Sequence, residues 1–311
     1  MHWPPRRAKG KVTMGKAERN RQLAARQRIA QLQAAERRRE TQRRFFVAGG
    51  SVLVVIVIVV SLVVWKALNH TPTAKANNTA SANAAVVSEL TSVPSTVLDK
   101  VGAGPTGVVA PLKPISGPPL TVNGKPEVLY MGAEYCPYCA AERWSIVEAL
   151  SRFGTFSNLQ FIHSTPNDIY SNTSTLTFYK SSYTSKYLSF VPVEMETVSQ
   201  KPLQRPTSAQ AALLTKYTQG SFPFVDVAGK YAVEGTQYLP SVLGSLQAQD
   251  ASHFGLTWAQ IGADVQNSSS PVAQAIIGAA NHITAAICKV TNGQPGNVCN
   301  SASVTSVGGS I

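Results

Sequence analysis

The chain has 311 residues, enough for more than one domain, and at 44% hydrophobic residues it can fill a good core. Its +12 charge is unevenly placed: residues 1–44 carry 14 Lys/Arg against Glu18, Glu36 and Glu40, a net of +11, and the rest carries 14 Lys/Arg against 13 Asp/Glu, a net of +1. A near-neutral body has no electrostatic support for nucleic-acid binding, and four cysteines in this length exclude a disulfide-built scaffold.

Residues 1–44 read as a basic cytoplasmic arm. Lys16–Arg44 lacks Gly, Pro and aromatic residues and is rich in helix formers, but Leu23, Ile29 and Leu32 are too few for an apolar face. Such an arm is drawn to anionic lipid head groups rather than to nucleic acid or the ribosome. Residues 45–65, Phe45 to Trp65, contain no charge and no proline, with an unbroken apolar run from Val52 to Val60. At ~1.5 Å per residue this stretch spans a hydrocarbon layer of ~30 Å. It is longer than the apolar part of a cleaved signal peptide. The Lys/Arg excess before it places the N-terminus in the cytoplasm and everything after it outside the cell membrane.

Residues 66–118 read as a flexible extracytoplasmic tether, first rich in Asn, Thr, Ala and Ser and then in Gly and Pro. A short helix near Val86–Leu90 fits the pattern. Sequons at Asn69, Asn77, Asn172 and Asn267 matter only in a host that glycosylates its exported proteins. The folded domain is expected over residues 119–300, followed by a disordered tail over 301–311.

Within that domain, Asn123-Gly124 marks a turn into an apolar strand, Val128–Met131. Cys136-Pro137-Tyr138-Cys139 follows, and then a helix with Trp144, Val147, Ala149, Leu150 and Phe153 on one face. Leu159–Ser164 reads as a second strand, parallel to the first through a right-handed crossover. Thr175–Tyr183 and Lys186–Met195 read as further strands or an inserted hairpin. A helix over Thr207–Tyr217 opens at Thr207 or Ser208, and two β-rich runs flank Ala228-Gly229-Lys230 as a hairpin. Leu239–Ala248 and Trp258–Val265 read as short helices. Pro271–Val290 reads as a longer one with a broad apolar face. Cys288 ends it, and Gly293, Pro295 and Gly296 form a loop to Cys299. A tight pair and a late, wider pair suggest one working and one structural bridge, which requires an oxidising compartment. A Cys288–Cys299 bridge would stabilise by roughly 2–3 kcal/mol on a chain-entropy account.

The order of strand, cysteine pair and helix has a chemical use. A sulfur at a helix N-terminus meets free N–H groups and the positive end of the macrodipole, which favour thiolate over thiol. Cys136 is therefore the expected nucleophile and Cys139, one turn on, the resolving thiol. A zinc half-site uses the same spacing, but placement after a strand and before a helix is the redox context. The histidines show no metal-ligand spacing, and neither a metal site nor a cofactor is expected.

Ala133-Glu134-Tyr135-Cys136 and the Cys-Pro-Tyr-Cys dithiol resemble the thioredoxin superfamily. With Phe222-Pro223-Phe224-Val225-Asp226 and the closing Cys288 and Cys299, the chain is most similar to an uncharacterised family of membrane-anchored thioredoxin-like proteins. The resemblance implies an α/β, thioredoxin-like fold, a mixed sheet flanked by helices behind a single N-terminal transmembrane helix. It implies a cis-proline at Pro223 facing the dithiol, the Phe222 backbone pairing with substrate, and an apolar rim of Tyr135, Tyr138 and Phe222. The expected function is a membrane-anchored thiol–disulfide oxidoreductase, oxidant or isomerase more than reductant. Its partners would be exported protein thiols and disulfides and a membrane redox partner. The alternative is a non-enzymatic module binding Cu(I), Zn or a partner protein through the same cysteines. Tyr130 stands where thioredoxins carry a buried aspartate, so Cys139 lacks that proton acceptor, and Glu134 reads as solvated rim.

Overall fold

The computed structural model describes residues 79–246 and 251–309, which belong to one unit of the chain. The basic arm, the apolar span of residues 45–65 and the sequons at Asn69 and Asn77 lie outside the described residues, as does the end of the helix expected over Leu239–Ala248.

The architecture is mixed α/β. Strand β3 (Lys125–Gly132) is the axis of the main sheet, since its apolar residues serve both faces. Val128 and Tyr130 belong to the larger core, while Leu129 and Met131 belong to the smaller one on the opposite face. The hairpin of β9 (Phe224–Val227) and β10 (Tyr231–Glu234) lies antiparallel beside it, in the register Val128 to Val227 and Met131 to Phe224. Short β1 (Lys113–Pro114) extends that side and β2 (Thr121–Val122) folds back on the start of β3. The turn between β9 and β10 is held by Asp226, whose Oδ1 accepts from the Gly229 amide at 2.6 Å.

The parallel partner of β3 is β8 (Ser189–Glu194), paired from Glu127–Ser189 to Gly132–Glu194. The strand expected to take that place, β5 (Gln160–His163), instead pairs antiparallel with β6 (Ser174–Thr177) in a separate two-stranded sheet. The reason lies in the side chains. Next to β3 a strand needs apolar groups on both faces, and β8 supplies Phe190 to one core and Val191 and Val193 to the other. Gln160 is exposed and the remainder of β5 is half-buried. A second small sheet, β4 (Gly154–Ser157) with β7 (Ser182–Ser185), completes the insertion. Its aromatic rings knit it to the sheet: Phe156, Phe178, Tyr183 and Phe190 pack with centroids 4.8–6.0 Å apart.

Helix α1 (Thr79–Thr91) and α2 (Ser95–Val101) occupy what composition put in the tether. Val86, Leu90, Val97, Val109 and Leu112 are buried in the core, so the stretch from Val86 to Leu112 is packed rather than flexible. Small residues allow this. Gly104 meets Gly278 so closely that a Cβ on Gly278 would lie 2.8 Å from the Gly104 Cα. The disordered tail is corrected in the same way: α8 (Ala302–Val307) buries Ser303, Val304 and Val307.

Helix α3 (Pro137–Ser151) follows β3, and α4 (Ser208–Thr218) covers the other sheet face through Leu213 and Leu214. Thr207 is the N-cap of α4, in a capping box with Gln210. The segment after β10 forms a single 3₁₀ turn, Pro240–Leu243, and then α5 (Trp258–Val265), opened by a Thr257–Gln260 capping box. Helix α6 (Pro271–Val290) is apolar and long enough to cross a membrane by length and composition, but 89% of its most apolar window is buried inside the protein. It is a core helix. Cys288 at its end is bonded to Cys299 at the end of α7 (Gly296–Cys299), with Cα atoms 5.5 Å apart. Asn172 is buried and donates to the Ala251 and His253 carbonyls, so its amide is committed to the fold.

The single apolar face expected for α3 is replaced by burial all round. Pro137 and Cys139–Leu150 are all buried, including Glu142, Arg143 and Glu148. Glu148 pairs with Arg152, which also donates to Asn281. Glu142 Oε2 accepts from the Gln237 amide at 2.9 Å, but Oε1 has no partner. Burial accordingly raises its pKa from 4.5 to about 7.

A carboxyl whose pKa is higher folded than unfolded stabilises fully below the unfolded value, and that contribution fades as pH rises through about 7. Urea midpoints should therefore fall between about pH 5 and about pH 8, with Glu142 contributing about 3 kcal/mol of the loss. Asp226, raised to about 6 by burial, acts in the same direction. Glu142→Gln should flatten the pH dependence, and an unchanged slope would refute the assignment.

Candidate functional site

The end of β3 delivers the chain to the cysteines. Gly132 closes the strand, the Glu134 amide donates to the Glu196 carbonyl at 2.9 Å, and the chain turns into α3. Cys136 is the N-cap of α3 in an extended conformation, and Pro137 follows at the first helical position, where no N–H is needed. The Cys136 sulfur is itself the cap: it accepts the Cys139 amide at 3.3 Å. A sulfur here satisfies one of the donors every helix leaves open at its start.

Both thiols are free and buried, Cys136 at 6% exposure and Cys139 at none. Their environments push them apart. The Cys139 thiol, donating to Cys136, lowers the Cys136 pKa. The Cys139 and Tyr138 amides and the Arg143 charge act in the same direction, against burial. Burial pushes Cys139 well up, and its own bond to Cys136 adds to this.

The residues expected around the dithiol are placed as follows. Tyr135, Tyr138 and Phe222 are half-buried against Ala133, Cys136 and Cys139. Tyr135 meets Phe222 edge to face at 5.9 Å. The antiparallel register of β9 on β3 carries Phe222 and Pro223 to the dithiol; the Phe222–Pro223 bond is cis, and the Phe222 carbonyl lies 4.0 Å from the Cys136 sulfur. Cys288 and Cys299 form the bridge described above and take no part in this cluster.

Several members of the site carry no signal in the sequence pattern read above. Arg143, one helical turn beyond Cys139, is wholly buried and forms a two-pronged ion pair with Glu194 at 2.8 and 2.7 Å. It also donates to the Ala133 carbonyl at 2.8 Å, tying α3 to the turn that presents Cys136. Its spacing four residues after Cys139 puts it on the same helix face, but nothing in the sequence marks Glu194 as its partner. Glu134 is no solvated rim residue: it is buried and accepts the Thr177 hydroxyl at 2.8 Å. Tyr170, on the loop after β5, packs edge to face on Tyr138 at 5.7 Å, and the Thr165 amide of that loop donates to the Tyr135 carbonyl. Among the described residues no group of three or more His, Cys, Asp or Glu is placed to hold a metal. His163 packs against Trp258 and Phe254 instead.

The fold and site define a class: mixed α/β proteins with a dithiol at the head of a buried helix. Residues 112–289 match the family model described as a domain of unknown function, DUF929, and since this is more than half of the sequence the chain belongs to that family. The match takes in Cys136, Cys139, Pro223 and Cys288 and stops short of Cys299. No curated protein and no solved structure matches the chain.

Removing one partner of a buried ion pair strands the other charge, at a cost of about 3–5 kcal/mol, whereas replacing both is far milder. Arg143→Leu should therefore lower the melting temperature steeply, and Arg143→Leu with Glu194→Leu should recover most of it. In the double variant the Cys136 thiol should titrate at higher pH, because the cation favouring its thiolate is gone. Ultraviolet thiolate absorbance against pH measures this, and an unmoved titration would show that the Arg143–Glu194 pair has no net effect on the dithiol.

Proposed function

We propose that the chain is a thiol–disulfide oxidoreductase with a thioredoxin-like domain, anchored to the membrane by residues 45–65 and acting on exported proteins outside the cytoplasm. The observation that carries this reading is Cys136, whose sulfur caps the helix that holds its partner thiol wholly buried three residues on. The β3–β8 parallel pair, the β9–β10 hairpin and helices on both faces support the fold assignment. The membrane anchor and the direction of insertion rest on the uncharged stretch and the Lys/Arg excess before it.

In the cycle, a substrate thiolate attacks the Cys136 sulfur of the oxidised pair. The Cys136–Cys139 bond breaks, and Cys139 departs as a thiolate and takes up a proton. A second substrate thiolate then displaces Cys136, leaving a substrate disulfide and a reduced pair. A membrane partner would remove the two electrons. Interactions that favour the Cys136 thiolate lower the energy of the reduced form and so make the disulfide a better oxidant. This supports an oxidant or isomerase over a reductant. Tyr135, Tyr138 and Phe222 give an unfolded segment an apolar surface beside the reactive sulfur.

The alternative, a soft-metal module using the same two thiols, is disfavoured by their cover. Cys139 has no exposure, and Phe222 stands against Cys136. Reactivation of scrambled ribonuclease and reduction of insulin, run on the full-length chain, separate the two. Thiol-dependent turnover lost in Cys136→Ala is expected. Stoichiometric, tight Cu(I) or Zn(II) binding without turnover would overturn the oxidoreductase reading.

A further inference from the structure

The resolving thiol lies in a site with no obvious acid or base. Of the two carboxylates nearest to it in the chain, Glu134 accepts from Thr177 and Glu142 accepts through Oε2 from Gln237 and Thr236, with its Oε1 unpartnered. The charges that act most on Cys139 are those of Cys136 and Arg143 rather than of either carboxylate. What lies beside Cys139 is Tyr130. The clearest sign is Gly132, where an added Cβ would collide with the Tyr130 hydroxyl and stand 3.1 Å from the Cys139 sulfur. Hydroxyl and sulfur thus converge over one glycine, and no larger residue at position 132 would leave them room.

That hydroxyl is fully buried and has no hydrogen-bond partner. Buried polar groups without partners are rare enough to need a reason. The ring cannot easily turn to find another partner, because it packs edge to face on Phe178 at 5.1 Å and lies under the Arg143 guanidinium at 5.8 Å.

We propose that the Tyr130 hydroxyl is the hydrogen-bond donor to the Cys139 sulfur, satisfied when that sulfur becomes a thiolate. This rests on the oxidoreductase reading and names the group that serves the resolving step. In that step Cys139 attacks the Cys136 sulfur of a Cys136–S–S–R mixed disulfide. The Cys136–Cys139 bond forms, the bond to R–S breaks, and the proton lost by Cys139 leaves with the departing thiol as R–SH. No electrons enter or leave. Burial holds the tyrosine proton far more tightly than usual, so Tyr130 keeps its proton and donates throughout. The Arg143 charge favours the same thiolate.

Ellman's reagent tests this on the full-length chain, reduced with dithiothreitol until two free thiols are counted. Attack by Cys136 releases the first thionitrobenzoate, and attack by Cys139 on the resulting mixed disulfide releases the second. Stopped-flow absorbance across a pH series gives the ratio of the two rates. Tyr130→Phe should slow the second release relative to the first by about tenfold, the effect of one hydrogen bond to a charged group. It should also move the pH midpoint of that step upward. The melting temperature should hold or rise, since the hydroxyl removed has no partner in the resting protein. A wild-type ratio and midpoint in Tyr130→Phe would overturn the proposal alone. A slowed second release accompanied by a marked fall in melting temperature would make the hydroxyl structural and overturn it too. A wild-type chain that releases the first thionitrobenzoate and never the second would overturn the oxidoreductase reading itself, and this proposal with it.

Discussion

A helix with charges on several faces is held entirely inside the protein, and the rest of the site depends on how those charges are met. Helix α3 buries Glu142, Arg143 and Glu148 together with its apolar residues. Taking a charge out of water costs several kcal/mol unless it is paired and hydrogen-bonded. Arg143 is answered by Glu194 from β8 and by the Ala133 carbonyl, and Glu148 by Arg152. Arg143 is thereby tied to β8 and to the turn before the helix, and Arg152, which pairs with Glu148 on the helix itself, reaches Asn281 of α6. The helix therefore has one position and one rotation, and the cysteines at its head have one geometry.

This rigidity has a chemical consequence. Cys136 caps the helix from its first turn, so the sulfur and the Cys139 amide are aligned before any substrate arrives. Arg143 fixes the Ala133 carbonyl just upstream while placing its cation near both sulfurs. Structure and electrostatics are thus joined in a single side chain. The opposite shifts of the two thiols follow from depth: one sulfur sits at the mouth of the helix with donors around it, and the other lies a turn deeper, where burial dominates.

Much of this was legible in the sequence, though unevenly. Local rules worked where local interactions decide. Pro271 and the apolar spacing that follows it predict α6 to its last residue, and a cap at Thr207 or Ser208 predicts the start of α4, where the structure has Thr207. The β9–β10 hairpin follows from its β-rich flanks and the Ala228-Gly229-Lys230 turn. Tertiary choices were not legible. Strands β5 and β8 both look like partners for β3, and only two-sided burial separates them. Residues 79–118 have the composition of a linker, yet Val86 and Leu90 find a groove, and Gly104 against Gly278 lets the backbones close. Composition counts apolar residues and cannot count the fit of small ones. Arg143 and Glu194 are equally silent, because a charged pair far apart in sequence looks like two solvated residues until the fold buries both.

The identity of residue 130 follows from the same accounting of charge. Glu194 already pairs with Arg143, whose charge still acts on both sulfurs. A second carboxylate at position 130 would face the thiolate of Cys139 as a like charge, with no second cation to offset it, and would resist the deprotonation that resolution needs. A tyrosine adds no charge. It fills the volume of the core with a ring packed edge to face on Phe178 and beneath the guanidinium, and it brings a dipole to the place where negative charge forms. With Arg143 supplying the field and Tyr130 the directed donor, the buried sulfur can be stabilised as a thiolate without a base of its own beside it. The geometry of Gly132 then has a reason, because a methyl group there would separate the donor from the sulfur it is placed to meet.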